Sequence, residues 1–287
     1  MAKMEQISVS AYAKVNFTLD ILGREGGYHL LDSLVSTVDL CDRVTARRRT
    51  DADCTVAMRG VGAEAIAPDS NALRAAQAFV REFGTDGADI AIERRIPVGA
   101  GLGSSSADAA GVLNALARLY AVTDTVRLKA VADALGSDTG YLLTGGYARI
   151  TGRGERVQPI ADMPCFYLLI LCPQAGMPTA RCFAAYDRLG ARQAPGTERA
   201  IALLKAEGAR AARVFGNALT RAACSCDAQI GRTLREAAAL SPYGAGMTGS
   251  GSACYAVFAQ EAECLAAART YAGEAAALCV RTVAPFI

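Results

Sequence analysis

The chain has 287 residues, 52% hydrophobic, 20% charged and 6% aromatic, with no tryptophan; this excludes disordered and fibrous classes and leaves a globule large enough for two lobes and a cleft. Thirty basic residues against 28 acidic give a net charge of +2, too balanced for a nucleic-acid surface or a polybasic membrane anchor. The most apolar run, Cys165 to Cys172, falls far short of the ~20 residues a membrane span needs, so no membrane partner is expected.

The opening Met1-Ala-Lys-Met-Glu-Gln6 carries an early acid and no apolar core, so no signal peptide is expected and the protein is placed in the cytoplasm. Ten scattered cysteines then read as reduced core thiols, with only Cys224 and Cys226 close together. Four-ligand zinc spacing is absent and His29 is the single histidine, so no structural metal is expected.

Period-two runs predict strands at Ile7–Val9, Phe17–Leu22, Leu34–Leu40 and Cys54–Met58, with Gly23, Gly26 and Gly27 marking a turn. Helical spacing over Asn71–Phe83 ends at Gly84, and Ala88–Ile96 alternates as a strand that runs into Pro97. A long helix follows the next glycine-rich turn, with Ala109, Val112, Leu113, Leu116 and Tyr120 on one face, and Val126–Leu135 predicts another. Strand-like Tyr147–Val157 precedes a candidate boundary at Pro159–Pro164, and a buried strand, Phe166–Leu171, opens the second half. Helices around Ala180–Leu189, Glu198–Lys205 and Ile230–Leu240 lead to a second glycine-rich turn at Gly244–Gly251. A strand Ala253–Ala259, a helix and a strand Ala276–Val283 complete the chain. No internal repeat is present.

The segment from Pro97 to Ala110, with Gly99, Gly101, Gly103 and Ser104 to Ser106, lies between a strand and a helix. Its glycines allow positive φ and close backbone approach, and its serines sit where a helix exposes unpaired N–H groups and the positive end of its dipole. That combination suits phosphate. It is neither a P-loop nor a dinucleotide fingerprint, since no G-x-x-x-x-G-K-[ST] occurs and Ser104 stands where the last glycine of G-x-G-x-x-G would be. A glycine-rich connection capped by serines is the structural alternative.

Three segments in order, Ala11-Tyr-Ala-Lys-Val-Asn-Phe-Thr-Leu19, the Pro97 loop, and Met247-Thr-Gly-Ser-Gly-Ser-Ala-Cys254, resemble the motifs of the GHMP kinase superfamily. Ala13-Lys-Val-Asn16 with Leu22-Gly23, Gly27-Tyr-His29, Gly136-Ser-Asp138 and Met177-Pro-Thr179 with Phe183 are similar to the family of 4-diphosphocytidyl-2-C-methyl-D-erythritol kinases within it. The resemblance implies an α+β, two-domain GHMP kinase fold. Residues 1–160 would form an ATP-binding, ribosomal-protein-S5-domain-2-like lobe, and residues 161–287 a ferredoxin-like α/β sandwich. It implies ATP-dependent phosphorylation of the 2-hydroxyl of the cytidyl sugar alcohol on the non-mevalonate route to isoprenoid precursors.

Family positions transferred residue by residue make Lys14 and Asp138 the catalytic pair. They give ATP binding to Pro97, Val98, Gly99, Ala100, Gly101, Leu102, Gly103, Ser104, Ser105, Ser106, Ala107, Asn71 and Arg94. Substrate binding goes to Asn16, Tyr28, His29, Thr179, Phe183, Gly249, Ser250 and Gly251, with Tyr28 and Phe183 stacking the cytosine and His29 reading its edge. The implied cofactors are ATP and Mg²⁺, the latter carried on the nucleotide phosphates with no protein ligand. The implied partner is a small cytidine-diphosphate sugar alcohol, and the chain would be a monomer or homodimer. A carboxylate at Asp138 can hold and accept the hydroxyl proton, and Lys14 offsets charge on the transferring group. Asp138 also reads as a helix N-cap and Lys14 as a solvated strand edge. Gly103-Ser-Ser-Ser-Ala107 replaces the family's Gly-Gly-Gly-Ser-Ser, which keeps open a mevalonate- or homoserine-kinase-like activity, alongside a non-catalytic ligand sensor on the same scaffold.

Overall fold

The computed structural model describes residues 4–63, 69–190, 196–241 and 243–286; residues 1–3 of the N-terminal stretch lie outside it. Strand β3 (Tyr28–Arg48) is the spine of the first sheet, much longer than the predicted Leu34–Leu40. It pairs with β2 (Thr18–Glu25) and β6 (Tyr147–Gly152) near its start, with β1 (Gln6–Asn16) from Val35 onward, and with β5 (Ala88–Arg94) from Arg43, all antiparallel. β4 (Thr55–Gly60) lies parallel to β5. The predicted strand Tyr147–Val157 is two strands, because Gly152 (φ 73°) and Gly154 (φ 112°) fold β7 (Arg156–Pro159) back on β6. Gly26 and Gly27 both have positive φ, 56° and 86°, as a tight two-residue hairpin between β2 and β3 requires.

Helix α1 (Asn71–Phe83) keeps its predicted bounds: the Ser70 hydroxyl accepts from the Leu73 N–H and left-handed Gly84 closes the last turn. It packs beside α2 (Ser104–Leu119), an alanine-rich helix buried on nearly every side against β1 and β3. Gly111 makes that approach possible, since a Cβ there would stand 2.7 Å from the Ala11 methyl and 2.8 Å from Val44 Cγ2. α3 (Thr125–Leu135) follows, capped by Asp124.

The second sheet has the order β10-β11-β8-β12, built from β8 (Tyr167–Cys172), β10 (Ala245–Met247), β11 (Cys254–Phe258) and β12 (Ala276–Arg281), all antiparallel. Between β8 and β10 run α5 (Thr179–Leu189) and α6 (Thr197–Glu207), then a 3₁₀ turn (Gly208–Val214) and β9 (Gly216–Asn217), which joins the first sheet beside β2. Helices α7 (Thr220–Cys226) and α8 (Ala228–Leu240) complete that stretch. Helix α9 (Glu261–Thr270) links β11 to β12, so the sheet itself has the split β-α-β order of a ferredoxin-like sandwich. β9, α7 and the four-residue helix α4 (Thr139–Leu142) were not predicted, being too short to show a period.

The two sheets share apolar packing at Phe17, whose ring lies 5.2 Å from Phe166, 5.1 Å from Phe215 and 5.9 Å from Tyr255. Cys172, Cys182, Cys254 and Cys264 are buried free thiols, Cys165 is exposed, and the chain forms no disulfide among its ten cysteines.

Candidate active site

Lys14 reaches the site through an irregularity in β1. Pairing with β3 slips between Tyr12 and Lys14, and the Lys14 N–H donates instead to the Leu102 carbonyl at 3.0 Å. The strand is thereby stitched to the glycine-rich loop. Lys14 is 5% exposed; its Nζ donates to Asn16 Oδ1 at 2.5 Å and lies 3.7 Å from Asp138 Oδ2. Asn16 is held in turn: its Nδ2 donates to Ser33 Oγ at 2.8 Å and its backbone N–H to Thr248 Oγ1 at 3.0 Å.

Asp138 sits before the short helix Thr139–Leu142, where a capping role was the alternative expectation. Its side chain makes no cap bond. It faces Lys14 with about a third of its surface open to solvent.

The loop alternates anchors with open positions. Ala100, Leu102, Ser104 and Ala107 are buried, while Val98, Gly99 and Ser105 are exposed. Gly99, Gly101 and Gly103 have φ of 68°, 79° and 76°. Gly103 precedes α2 and makes no side-chain cap bond, so the N-cap position itself supplies no acceptor to the orphan N–H groups at this helix start. The loop leans on the third motif: Ala253 N–H donates to the Ala100 carbonyl at 3.1 Å, and Thr248 Oγ1 to the Gly101 carbonyl at 3.2 Å. A Cβ on Gly101 would press into the Thr248 carbonyl, and one on Gly249 would stand 3.0 Å from the Gly101 carbonyl and 3.4 Å from Lys14 Nζ. Gly249, Ser250 and Gly251 therefore lie beside Lys14 and the loop, with Ser250 Oγ 3.1 Å from Thr179 Oγ1.

Asn71 Nδ2 donates to Ser105 Oγ at 2.8 Å. Arg94 approaches from beneath, 6% exposed, donating to Ser104 Oγ at 2.7 Å and pairing with Asp108 Oδ2 at 3.2 Å. Burial pushes the Asp108 carboxyl up to about 8; Arg94 opposes the rise and Asp42 adds to it.

On the other side, the His29 ring stacks on Phe183 at 4.7 Å and 25°, and its Nε2 lies 2.7 Å from Asp187 Oδ1. A cavity of about 250 Å³ opens beside them, lined in part by Leu22, Gly23, Arg24 and Tyr186. The Tyr28 ring is exposed at the hairpin tip under the Arg153 guanidinium, 4.5 Å away. Phe183 and His29 are thus brought together, and Tyr28 stands apart from that stack. A larger groove of about 540 Å³ between α1 and α3 contains none of the predicted site residues.

Four contributors escape a reading of the sequence by role. Thr248 and Asn217 lie in stretches whose motifs are visible, and Asn217 Nδ2 supports the third motif through the Met247 and Gly249 carbonyls at 2.9 and 2.8 Å. Asp108 follows the serines directly. Asp42, in the middle of β3, carries no local signal.

Residues 70–147 match the family described as GHMP kinases N terminal domain. A 4-diphosphocytidyl-2-C-methyl-D-erythritol kinase of Parvibaculum lavamentivorans is 37% identical over 276 residues, 91% of this chain and 92% of that protein. One from Paramagnetospirillum magneticum is 35% identical across 92% and 93% of the two chains. The chain belongs to the 4-diphosphocytidyl-2-C-methyl-D-erythritol kinase family. A crystal structure titled 4-(cytidine 5'-diphospho)-2C-methyl-D-erythritol kinase superposes with a TM-score of 0.78 at 30% identity, covering 96% of this chain and all of that one. A homoserine kinase from Cytophaga hutchinsonii, at 0.75 and 16% identity, shares the fold. The architecture is the mixed α/β GHMP kinase fold, and this family member is an ATP-dependent kinase of a small molecule.

Proposed function

We propose that the chain transfers the γ-phosphoryl group of ATP to the 2-hydroxyl of 4-diphosphocytidyl-2-C-methyl-D-erythritol, with Asp138 as base and Lys14 as its charge partner. The observation that carries this reading is the 3.7 Å approach of Lys14 Nζ to Asp138 Oδ2 by a carboxyl that makes no cap bond. Asp138 Oδ2 accepts the hydroxyl proton as the new O–P bond forms and the bond to ADP breaks. The partial exposure of Asp138 lets the proton pass on to water. Lys14, fixed by Asn16, offsets negative charge gathering on the transferring phosphoryl.

The amides and serine hydroxyls of residues 97–107 cradle the ATP phosphates, with Arg94 acting through Ser104 and Asn71 through Ser105. Magnesium carried on those phosphates would draw off their charge, and no side chain of this chain is assigned to hold it. Phe183 and His29 receive the cytosine, with Tyr28 at the hairpin tip outside their stack; stacking supplies affinity and a polar edge supplies choice. Thr179 and Ser250 line the path between base and phosphate loop. In this reading residues 1–160 form the nucleotide-binding lobe and residues 161–287 the second lobe, in a cytoplasmic enzyme.

An ADP-release assay across the cytidyl alcohol, mevalonate and homoserine tests the proposal. Turnover of the cytidyl alcohol alone is expected. Turnover only of another alcohol would replace the substrate, and nucleotide binding without ADP release would make the protein a sensor.

A further inference from the structure

The Lys14 ammonium ends a chain of buried hydrogen bonds in which each donor and acceptor has only one workable assignment. Ser33, in β3, is 3% exposed, and its hydroxyl donates to the Thr18 carbonyl at 2.5 Å. A carbonyl can only accept, so the single Ser33 proton is committed there. The same oxygen lies 2.8 Å from Asn16 Nδ2 and accepts from it. That bond turns Asn16 Oδ1 toward Lys14 Nζ, 2.5 Å away, which as an ammonium can only donate. An inverted amide would set the Nδ2 donor against the ammonium and leave Oδ1 facing a hydroxyl whose proton points elsewhere.

The backbone holds the same chain in place. The Asn16 N–H donates to Thr248 Oγ1 at 3.0 Å, and that hydroxyl donates to the Gly101 carbonyl at 3.2 Å. Thr18 is fixed as well, its hydroxyl accepting the Leu34 N–H at 2.8 Å. Lys14, Asn16, Thr18 and Ser33 are all buried, so a partner lost from the chain is not replaced by bulk water. Of the three donors an ammonium carries, one is committed to Asn16. The others remain for Asp138, 3.7 Å away, and for the transferring phosphoryl.

We propose that Ser33 is a positioning residue of the phosphoryl transfer: by accepting from Asn16 Nδ2 it turns the Asn16 oxygen onto Lys14 and keeps the ammonium aimed at Asp138 and the γ-phosphoryl. The proposal rests on the reading of Lys14 and Asp138 as the transfer pair. Ser33 acts through Asn16 rather than on a substrate. Without its hydroxyl, Asn16 Nδ2 loses its acceptor, the amide is free to rock, and the ammonium moves with it. Such a displacement costs rate rather than affinity, because residues 97–107 and the His29–Phe183 stack are held by other bonds.

Steady-state kinetics and the side-chain nitrogen spectrum of lysine test this together. In Ser33→Ala, kcat is expected to fall by about 10- to 100-fold, with the KM for ATP and for the alcohol within a few-fold of wild type. Ser33→Cys fills the same space with a thiol that hydrogen-bonds only weakly; it is expected to lose rate likewise, whereas a mere packing role would spare it. The chain has four lysines, so labelling lysine with the heavy nitrogen isotope gives few ammonium signals to assign. The Lys14 signal is expected to be sharp in wild type, held and shielded from exchange, and to broaden or vanish in both variants. Wild-type kcat in the two variants would overturn the proposal, as would an unaltered Lys14 signal or a loss of ATP affinity as large as the loss of rate. If Ser33→Ala does not fold, Ser33→Cys decides. Failure of the underlying reading looks different: wild type itself turns over no alcohol, and the Lys14 signal alone then decides whether Ser33 holds the ammonium.

Discussion

Lys14 Nζ stands 3.7 Å from Asp138 Oδ2, a cation on a slipped strand facing an anion in the turn before a four-residue helix. Neither element alone would hold the pair. Lys14 is fixed by its backbone bond to Leu102 and its side-chain bond to Asn16, while Asp138 is left free of capping duty.

Asp138→Asn keeps the shape of the carboxyl but cannot take up a proton. Steady-state kinetics are expected to show kcat lowered by ~10²–10⁴, with the KM for ATP within a few-fold of wild type. A parallel loss of ATP binding would move Asp138 from chemistry to nucleotide binding.

Removing the Lys14 ammonium should damage both rate and stability. Lys14→Met is expected to lower kcat by ~10² or more, and to leave buried Asn16 Oδ1 with only the long 3.5 Å contact from Thr248 Oγ1, at a cost of about 1–3 kcal/mol. Urea unfolding reads the second effect separately from the first.

Gly101→Ala tests how the loop is seated. Its φ of 79° and the Thr248 carbonyl behind it both oppose a Cβ, so about 1–3 kcal/mol of destabilisation and a raised KM for ATP are expected. Gly196→Ala, at the N-cap of α6 with no atom of a described residue within 4 Å of its Cβ and φ of −129°, is the control and should cost no more than about 1 kcal/mol with the KM for ATP unchanged. Equal effects at the two glycines would refute the seating.

Phe183→Ala should act on one substrate only. Loss of a stacking partner worth ~1–3 kcal/mol raises the KM for the cytidyl alcohol by roughly 5- to 150-fold and leaves the KM for ATP unchanged. A rise in both would detach Phe183 from base recognition.

Stability should also carry the mark of Asp108. Its carboxyl is raised from 3.8 to about 8 in the fold, so the folded chain binds more protons than the unfolded one between those values. The stability it contributes is full below the unfolded value and drains away as pH climbs to about 8. Thermal melts of wild type are expected to show this decline, and Asp108→Asn to flatten it.

The site is legible in the sequence where it is local. Gly99, Gly101, Gly103 and the serines identify a phosphate loop because their conformational freedom and the helix start that follows act within a dozen residues. Helix α1 keeps its predicted bounds for the same reason, its cap and stop being contained in Ser70 and Gly84. Strand β3 does not: its length comes from partners in four other strands, and no period in its own residues announces them. Thr248 and Asp42 are equally silent, since each is defined by a group far along the chain, the Asn16 N–H in one case and the Arg95 and Ile96 N–H groups in the other.

By itself the amino-acid order determined the α+β class, the anion-ready bend at Pro97 and the residue types available for phosphoryl transfer, because backbone propensity, helix dipoles and side-chain chemistry operate over a few residues. Only the tertiary structure decided that Asp138 turns toward Lys14 rather than capping its helix, that His29 lies on Phe183 while Tyr28 sits under Arg153, and that Asp42 reaches the Arg95 and Ile96 N–H groups that lead into the loop. Those choices depend on which distant groups burial leaves without water and must therefore pair with each other.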